Sequence, residues 1–138
     1  MFKYLKNMYG ASGTPEVIDI PVRDYDDIPV GTLAGFYEYG IDYANGGKKG
    51  RTFVTVEEKI RNDGKTSIKA MKALPGMLFE VQLINVNEIE EIAVGSLVAS
   101  NTDSSSHHIY VCPEGGDFIE VISTAEYEKT GKIIVTFI

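Results

Sequence analysis

The residue types best suited to metal binding or nucleophilic catalysis lie close together near the end of this sequence. His107, His108 and Cys112 are its two histidines and its single cysteine. A zinc site needs three or four ligands with supporting groups around them. Neighbouring side chains on a strand point to opposite faces, so only His108 would share a face with Cys112, about 13 Å away. We therefore expect no metal, no cofactor and no Cys–His catalytic pair.

Gly47 and Lys48 resemble part of a phosphate-binding loop, which requires the pattern GxxxxGK followed by Ser or Thr. The position five residues before Gly47 holds Asp42 instead of glycine, and Lys49 stands where the hydroxyl residue would be. The pattern therefore excludes a phosphate loop of this type.

Two acidic clusters, at residues 24–27 and 88–91, each precede a glycine turn. Facing carboxylates can hydrolyse glycosides, and carboxylate clusters can hold calcium. Runs of like charge more often form solvated surface, and we favour that interpretation here. With no other catalytic pattern in the chain, the sequence predicts a protein that is not an enzyme.

A repeated glycine motif predicts where the turns and strands of this chain lie. The segment IPVGTLA at 28–34 is echoed 64 residues later by IAVGSLV at 92–98. A second echo relates GMLFEV at 76–81 to GDFIEV at 116–121. Glycine reaches the positive φ that a tight corner can demand. The repeats predict structural turns at Gly31, Gly76, Gly95 and Gly116, each leading into an apolar strand.

The remaining pattern is that of a β protein. Short stretches of alternating apolar and polar residues are separated by Gly, Pro and Asn turns. Pro21 marks the strand at 17–22 as an edge strand, because proline cannot donate to a ladder. Asp63-Gly64 indicates a hairpin, so we favour a strand over a helix for residues 65–74. The predicted fold is mainly β, a compact barrel or sandwich of short strands.

Two stretches are predicted to lie outside that body. Residues 1–15 read as a flexible N-terminal arm, residues 16–138 as a single β domain, and residues 40–72 as an inserted basic hairpin. The aromatic side chains of the arm, Phe2, Tyr4 and Tyr9, are costly to leave in water. We expect them to find a surface, either on the protein's own body or on a partner.

Charge is unevenly distributed along the chain. The net charge is −7, yet residues 46–72 carry eight of the 13 basic residues and three of the 20 acidic ones. An acidic body repels nucleic acid, which we do not expect as a partner. The basic segment could dock on an acidic neighbour, including a second copy, or be a solvated face. No apolar run is long enough for a membrane helix or a signal peptide, so we expect neither membrane association nor export by that route.

Taken together, the Ile-x-Val-Gly-[Ser/Thr]-Leu units, the leading arm and the small acidic β body resemble the head decoration, or capsid cement, proteins of tailed phages. The resemblance implies a non-enzymatic, generally trimeric protein, made in the host cytoplasm, that binds the major capsid protein on the outer surface of the virion. It implies contacts through the arm, at Phe2, Tyr4 and Tyr9, and through the basic segment, at Lys48, Lys49 and Arg51. Deleting residues 1–12 should then leave the domain folded and abolish binding to shells.

Two alternatives remain open at this stage. The chain could be another virion module, such as a tail or baseplate β domain, with the same surfaces. It could instead bind carbohydrate, with Tyr37, Tyr39 and Tyr43 as a stacking platform, since Tyr37 and Tyr39 share one strand face. Ordinary sheet packing of these tyrosines is the simpler interpretation.

Overall fold

We describe the protein from a computed structural model that covers residues 1–8, 15–23, 28–37, 40–42, 52–84, 92–103, 108–113 and 115–138. For residues 36, 37, 40–42, 101–103 and 108 only the backbone is described. The elements in chain order are β1 (Lys3–Asn7), β2 (Val17–Pro21), β3 (Leu33–Tyr37), β4 (Gly40–Asp42), β5 (Thr52–Thr55), β6 (Ile60–Asn62), β7 (Lys65–Lys72), β8 (Met77–Gln82), β9 (Leu97–Asp103), β10 (His108–Cys112), β11 (Ile119–Ser123), α1 (Tyr127–Thr130) and β12 (Lys132–Phe137).

The first sheet, as far as the described residues show it, has six antiparallel strands in the order β1-β8-β12-β11-β9-β10. It curls on itself, because Leu83, just after β8, forms a parallel bridge with Val111 of β10. The backbone N–H of Ile84 also donates to the carbonyl of Val111 at 3.0 Å. β1 lies against the other half of the same β8 edge, and the Met1 amino group donates to the carbonyl of Ile109. The N-terminus therefore lies at the seam between β8 and β10.

The second sheet in the described part of the chain has the order β2-β7-β5-β3-β4, and β6 pairs with the free half of one β7 edge. β7 is its central strand, with β2 on one side and both β5 and β6 on the other. β2 is an edge strand, as Pro21 predicts. The chain therefore folds as two antiparallel sheets packed together, a compact β sandwich of short strands.

Alternating apolar residues on the strands build the core between the sheets. On β8, Met77, Phe79 and Val81 all point inward, as their spacing of two requires. Leu33 and Val54 of the second sheet join the same cluster. A second, smaller cluster on the opposite face of the second sheet contains six buried residues: Ile20, Val22, Ile28, Ala34, Ile68 and Ala70.

The repeated glycine motif forms the same corner twice. The Gly31 N–H donates to the carbonyl of Thr55, and the Thr55 N–H donates back to the carbonyl of Thr32. At the second corner, the Gly95 N–H donates to the carbonyl of Val121, and the Val121 N–H donates back to the carbonyl of Ser96. Both glycines have positive φ, at 81° and 93°, which glycine adopts without strain. Each corner is thus a positive-φ turn joined to the start of a buried strand.

The structure differs from the predicted N-terminal arm. Residues 3–7 form β1 and pair with β8, and the Phe2 side chain is 2% exposed in the main core. Its ring lies 6.4 Å from that of Phe79, edge to face. The free energy gained by removing an aromatic side chain from water exceeds the conformational entropy that a mobile end would keep. The N-terminal residues therefore pack against the β sandwich.

The predicted insertion at 40–72 also differs from the structure. This stretch supplies β4 to β7, and β5 and β7 are inner strands of the second sheet. The preference for a strand after Asp63-Gly64 is confirmed, since β7 begins at Lys65 and pairs with β6. In the first sheet, β9 continues through polar residues to Asp103, which pairs with His108 of β10.

Candidate functional site

A depression in the described part of the protein lies beside the turn of the β6–β7 hairpin. It has a volume of about 710 Å³. Residues 19 and 21–23, at the end of β2, form one wall, and residues 62 and 64–67 form the other. We call this depression the hairpin groove. Its size is in the range of cavities that bind small molecules or side chains of a partner.

The hairpin turn that forms one end of the groove follows directly from the sequence. Asp63 and Gly64, its two central residues, have φ values of 52° and 75°. A two-residue turn with both φ positive matches the twist of the flanking strands and favours Asn-Gly or Asp-Gly sequences. A Cβ at Gly64 would meet no atom within 4 Å, so the rim is open at this point.

Strand register places the polar groups of the groove in rows. Pro21 lies opposite Ser67 on β7, and Ile60 lies opposite Ser67 on the other side. The Val22 N–H donates to the carbonyl of Thr66 at 3.1 Å, which extends the β2–β7 register past Pro21. This extension puts Arg23 across from Lys65.

Two positively charged residues at neighbouring register positions therefore belong to the lining of the groove. Arg23 is half-buried and Lys65 is exposed, and both line the depression. The carboxylate in the lining, Asp19, makes an ion pair of 3.1 Å with Lys69, whose charge it offsets.

The rest of the lining mixes apolar and polar groups. Pro21 is exposed and gives apolar contact area, Val22 is buried in the second core cluster, and Asn62, Thr66 and Ser67 contribute amide or hydroxyl groups. Such a mixture of a few charges with apolar surface is typical of recognition sites.

A second surface feature is apolar and lies where the end of β1, the segment after β7 and the end of β12 meet. The Met8 N–H donates to the carbonyl of Gly76, and Pro75 bridges to Phe137. Three residues at or next to these contacts in the chain have exposed apolar side chains: Met8, Leu74 and Ile138. We call this feature the apolar end.

The partner-binding residues predicted from the sequence fall in different places. Phe2 is buried, and Tyr4 packs partly buried against the core, with its ring 5.6 Å from that of Phe79. Neither side chain reaches outward as an arm contact would. The other four predicted contacts lie outside the described residues: Tyr9, Lys48, Lys49 and Arg51.

The residues considered for catalysis or metal binding are not brought together. Cys112 is half-buried on β10, His108 is described only as backbone at the start of that strand, and His107 lies outside the described residues. Both acidic clusters also lie outside them. Among the described side chains, no group of three His, Cys, Asp or Glu residues could hold a metal ion. Of the three tyrosines considered for sugar stacking, Tyr37 is in β3, and Tyr39 and Tyr43 are outside the described residues.

The four predicted turn glycines serve two different needs. Gly31, Gly76 and Gly95 all have positive φ. At Gly116 the requirement is space, because a Cβ there would overlap the backbone of Val98 on β9. The positive φ in that turn belongs to Gly115, at 81°.

Sequence reasoning missed the pairing of Arg23 with Lys65. In the sequence, Lys65 is one residue of the basic segment 46–72, and Arg23 directly precedes the acidic cluster at 24–27. The signal that could have found them is the hairpin turn, which fixes the start of β7, combined with the edge strand at Pro21. The antiparallel pairing of these two strands was not predictable from either one alone.

Within the described ranges, no helix is long and apolar enough to cross a membrane.

Comparisons with known proteins do not assign a function to this site. No protein-family model matches the chain, and neither the curated proteins nor the solved structures contain a match to it.

Proposed function

We propose that this chain is a non-enzymatic structural protein of a virion, which decorates the outside of a tailed-phage capsid and binds its major capsid protein. The observation that carries the proposal is the hairpin groove, which presents two cations at the surface of a chain with a net charge of −7. Such local complementarity orients an acidic body on an acidic partner, where long-range attraction is absent. The resemblance of the glycine-corner units to capsid cement proteins is the reason for proposing a phage capsid as the assembly to which the chain binds.

On a repeating lattice, each single contact can have a low affinity. Many identical subunits bound to a repeating surface, or linked to one another, act at high effective concentration. The apolar end, with Met8, Leu74 and Ile138 exposed, is the surface we propose for contact between copies, as a homo-oligomer and, by the resemblance, a trimer. Multi-angle light scattering tests this part, because Leu74→Glu should reduce the mass of the oligomer to that of one chain.

Cosedimentation with capsid shells tests the proposal itself. Expanded shells would be assembled from the major capsid protein encoded in the same genome, with unexpanded shells as the matched control. We expect saturable binding to the expanded shells at a fixed ratio and, in cryo-electron microscopy, regular density on their outer surface. Absence of binding to both kinds of shell contradicts the proposal. Specific retention on a glycan array, or recovery with tails instead of heads, would favour one of the two alternatives.

The arm deletion suggested by the sequence is not a suitable test. Removing residues 1–12 takes away β1 and the buried Phe2 ring, so loss of binding would report unfolding instead of a lost contact. Variants on exposed residues leave the fold intact and report binding alone.

A further inference from the structure

We infer that the second glycine corner, at residues 93–95, is a docking site for an extended apolar segment of a partner protein. The segment carries a long, unbranched apolar side chain, such as that of methionine or leucine, followed by a free backbone N–H. This inference goes beyond the proposed function and does not depend on it, because it names a site and the chemistry of the segment that fits there. The first glycine corner is the template, since the chain's own first two residues occupy it in this way.

The two corners have the same backbone structure. At each corner the N–H of the glycine, Gly31 or Gly95, donates to the carbonyl of one residue on the neighbouring strand, Thr55 or Val121. The N–H of that residue donates back to the carbonyl of the residue after the glycine. Two residues therefore lie opposite one, with a positive-φ glycine first, which is the pattern of a glycine β-bulge. The two glycines should therefore present the same backbone surface.

The first corner shows what fits that surface. A Cβ on Gly31 would overlap the Cβ of Met1, so the absence of a side chain on the glycine makes room for Met1. The Phe2 N–H donates to the carbonyl of Gly31 at 2.7 Å, and β1 begins with the next residue. Residues 29–31 of this corner are half-buried or buried. The contact thus consists of an apolar residue on the glycine, an N–H on its carbonyl and an extended continuation.

The second corner has no such cover. Ala93, Val94 and Gly95 are all exposed, and Val94, at 65%, is the most exposed of the large apolar side chains that the structure describes. A Cβ on Gly95 would meet no atom within 4 Å, and the Gly95 carbonyl accepts no hydrogen bond from the described residues. An apolar side chain and an unpaired carbonyl are therefore open at the place that Met1 and Phe2 fill at the first corner.

The chemistry of the open corner selects a polypeptide from another protein. A carbonyl accepts an N–H, and a glycine without a side chain lets a second backbone approach closely. Val94 adds apolar area, whose removal from water favours association. The chain's own first residues are already in use, because Phe2 is buried and bonded at the first corner. The same residues of a second copy are held in the same way, so the segment comes from a different partner.

A peptide titration tests the inference directly. The probe is acetyl-Met-Ala-Lys-amide, in which methionine supplies the apolar side chain, the alanine N–H supplies the donor and lysine gives solubility. One control peptide has N-methylalanine, which lacks the donor, and the other has serine in place of methionine. Amide chemical shifts follow binding up to about 10 mM peptide, because so small a contact has a low affinity. We expect the probe to shift the amides of residues 93–97 and both control peptides to bind about fivefold more weakly.

Variants of two exposed apolar residues provide the matched comparison. Val94→Glu should weaken binding of the methionine peptide about tenfold, because it replaces the apolar contact with a charge. Ile60→Glu changes a side chain that is 54% exposed on β6 and should leave binding unchanged. Gly95→Ala places a methyl group in the open position and should also weaken binding, with urea unfolding curves used to verify the fold. Equal losses for Val94→Glu and Ile60→Glu overturn the inference.

The remaining outcomes separate this occupant from others. If the peptides cause no shifts at residues 93–97, the inference fails. If in addition Val94→Glu lowers the mass of the protein in light scattering, a second copy covers the corner instead. Equal binding of all three peptides also contradicts the inference, because neither the N–H nor the apolar side chain is then recognised. Binding that is weakened by N-methylation of the peptide and by Val94→Glu, and retained in Ile60→Glu, supports it.

Discussion

Met1 lies directly on Gly31, so that the first residue of the chain packs against the first of the two glycine corners. The Phe2 N–H donates to the carbonyl of Gly31 at 2.7 Å, and a Cβ at position 31 would overlap the Cβ of Met1. Gly95, the equivalent glycine of the second corner, has no atom within 4 Å of that position. The two corners thus share their hydrogen bonds and differ in what covers them.

This difference predicts unequal effects of alanine at the two corners. Gly95→Ala should lower the free energy of unfolding by about 1–2 kcal/mol, because alanine is strained at a φ of 93°. Gly31→Ala carries the same strain and in addition must displace Met1, which adds about 1–3 kcal/mol. Urea unfolding at equilibrium measures both values. Losses of equal size would show that Met1 does not rest on Gly31.

The aromatic ring of Phe2 should be a major source of stability. It is 2% exposed and lies 6.4 Å from the ring of Phe79 and 6.1 Å from that of Phe137. Phe2→Ala should therefore lower the free energy of unfolding by about 3–5 kcal/mol. Leu5→Ala is the control, since Leu5 is 39% exposed and should cost about 0.5 kcal/mol or less. Similar small losses for both variants would instead agree with a free arm.

The contrast between β1 and the β6–β7 hairpin shows what the sequence can predict. Asp63-Gly64 and the alternation of β7 are local signals, and both the turn and the strand follow from them. β1 offers no such pattern, because a bulge between Tyr4 and Lys6 breaks its alternation. Phe79 of β8, which pairs with Tyr4, is 75 residues further along the chain. Pairing over such a distance is decided by the core, which sequence periodicity does not reveal.

The hairpin groove was hidden for a related reason. The basic composition of residues 46–72 suggested a solvated insertion, yet Val54, Ile68 and Ala70 within it are buried. Charged residues on one face of a strand do not prevent the other face from joining a core. The groove itself depends on β2 and β7 being neighbours, and these strands lie far apart in the sequence. The site could be found only from the register between them.

The first corner also contains a buried hydroxyl network that should be sensitive to substitution. The side chains of Thr32 and Thr55 both donate to the carbonyl of Pro29 at 2.7 Å, and the Thr32 N–H donates to Thr55 Oγ1 at 3.0 Å. Thr55→Val keeps the shape of the side chain but leaves the Thr32 N–H without its acceptor. We expect a loss of about 1–3 kcal/mol in the free energy of unfolding.

Thr55→Ser is the matched control for that substitution. Serine keeps the hydroxyl and removes one methyl group, whose burial is worth about 0.8 kcal/mol. If the network stabilises the corner, the serine variant is the more stable of the two by chemical denaturation, although valine is the better strand former. A more stable valine variant would mean that the hydroxyl bonds contribute little.

The amino group of Met1 gives the fold a dependence on pH. Burial lowers its pKa from the ordinary value of 8.0, and the positive charge of Lys132 lowers the pKa further. Between this lowered pKa and 8.0 the unfolded chain binds more protons than the folded chain. The free energy of unfolding should therefore rise with pH across that interval, and the contribution disappears at pH values below it, where the amine is protonated in both states.

Nuclear magnetic resonance titration of methionine labelled with ¹⁵N measures this pKa, and urea unfolding over the same pH values measures the slope. Lys132→Gln removes the second cause, so the pKa of the Met1 amine should move toward 8.0 and the rise in stability should become shallower. Because burial is the larger cause, the pKa in this variant should still lie below 8.0. A wild-type pKa at or above 8.0 would mean that the amine is in water instead of at the seam beside Ile109.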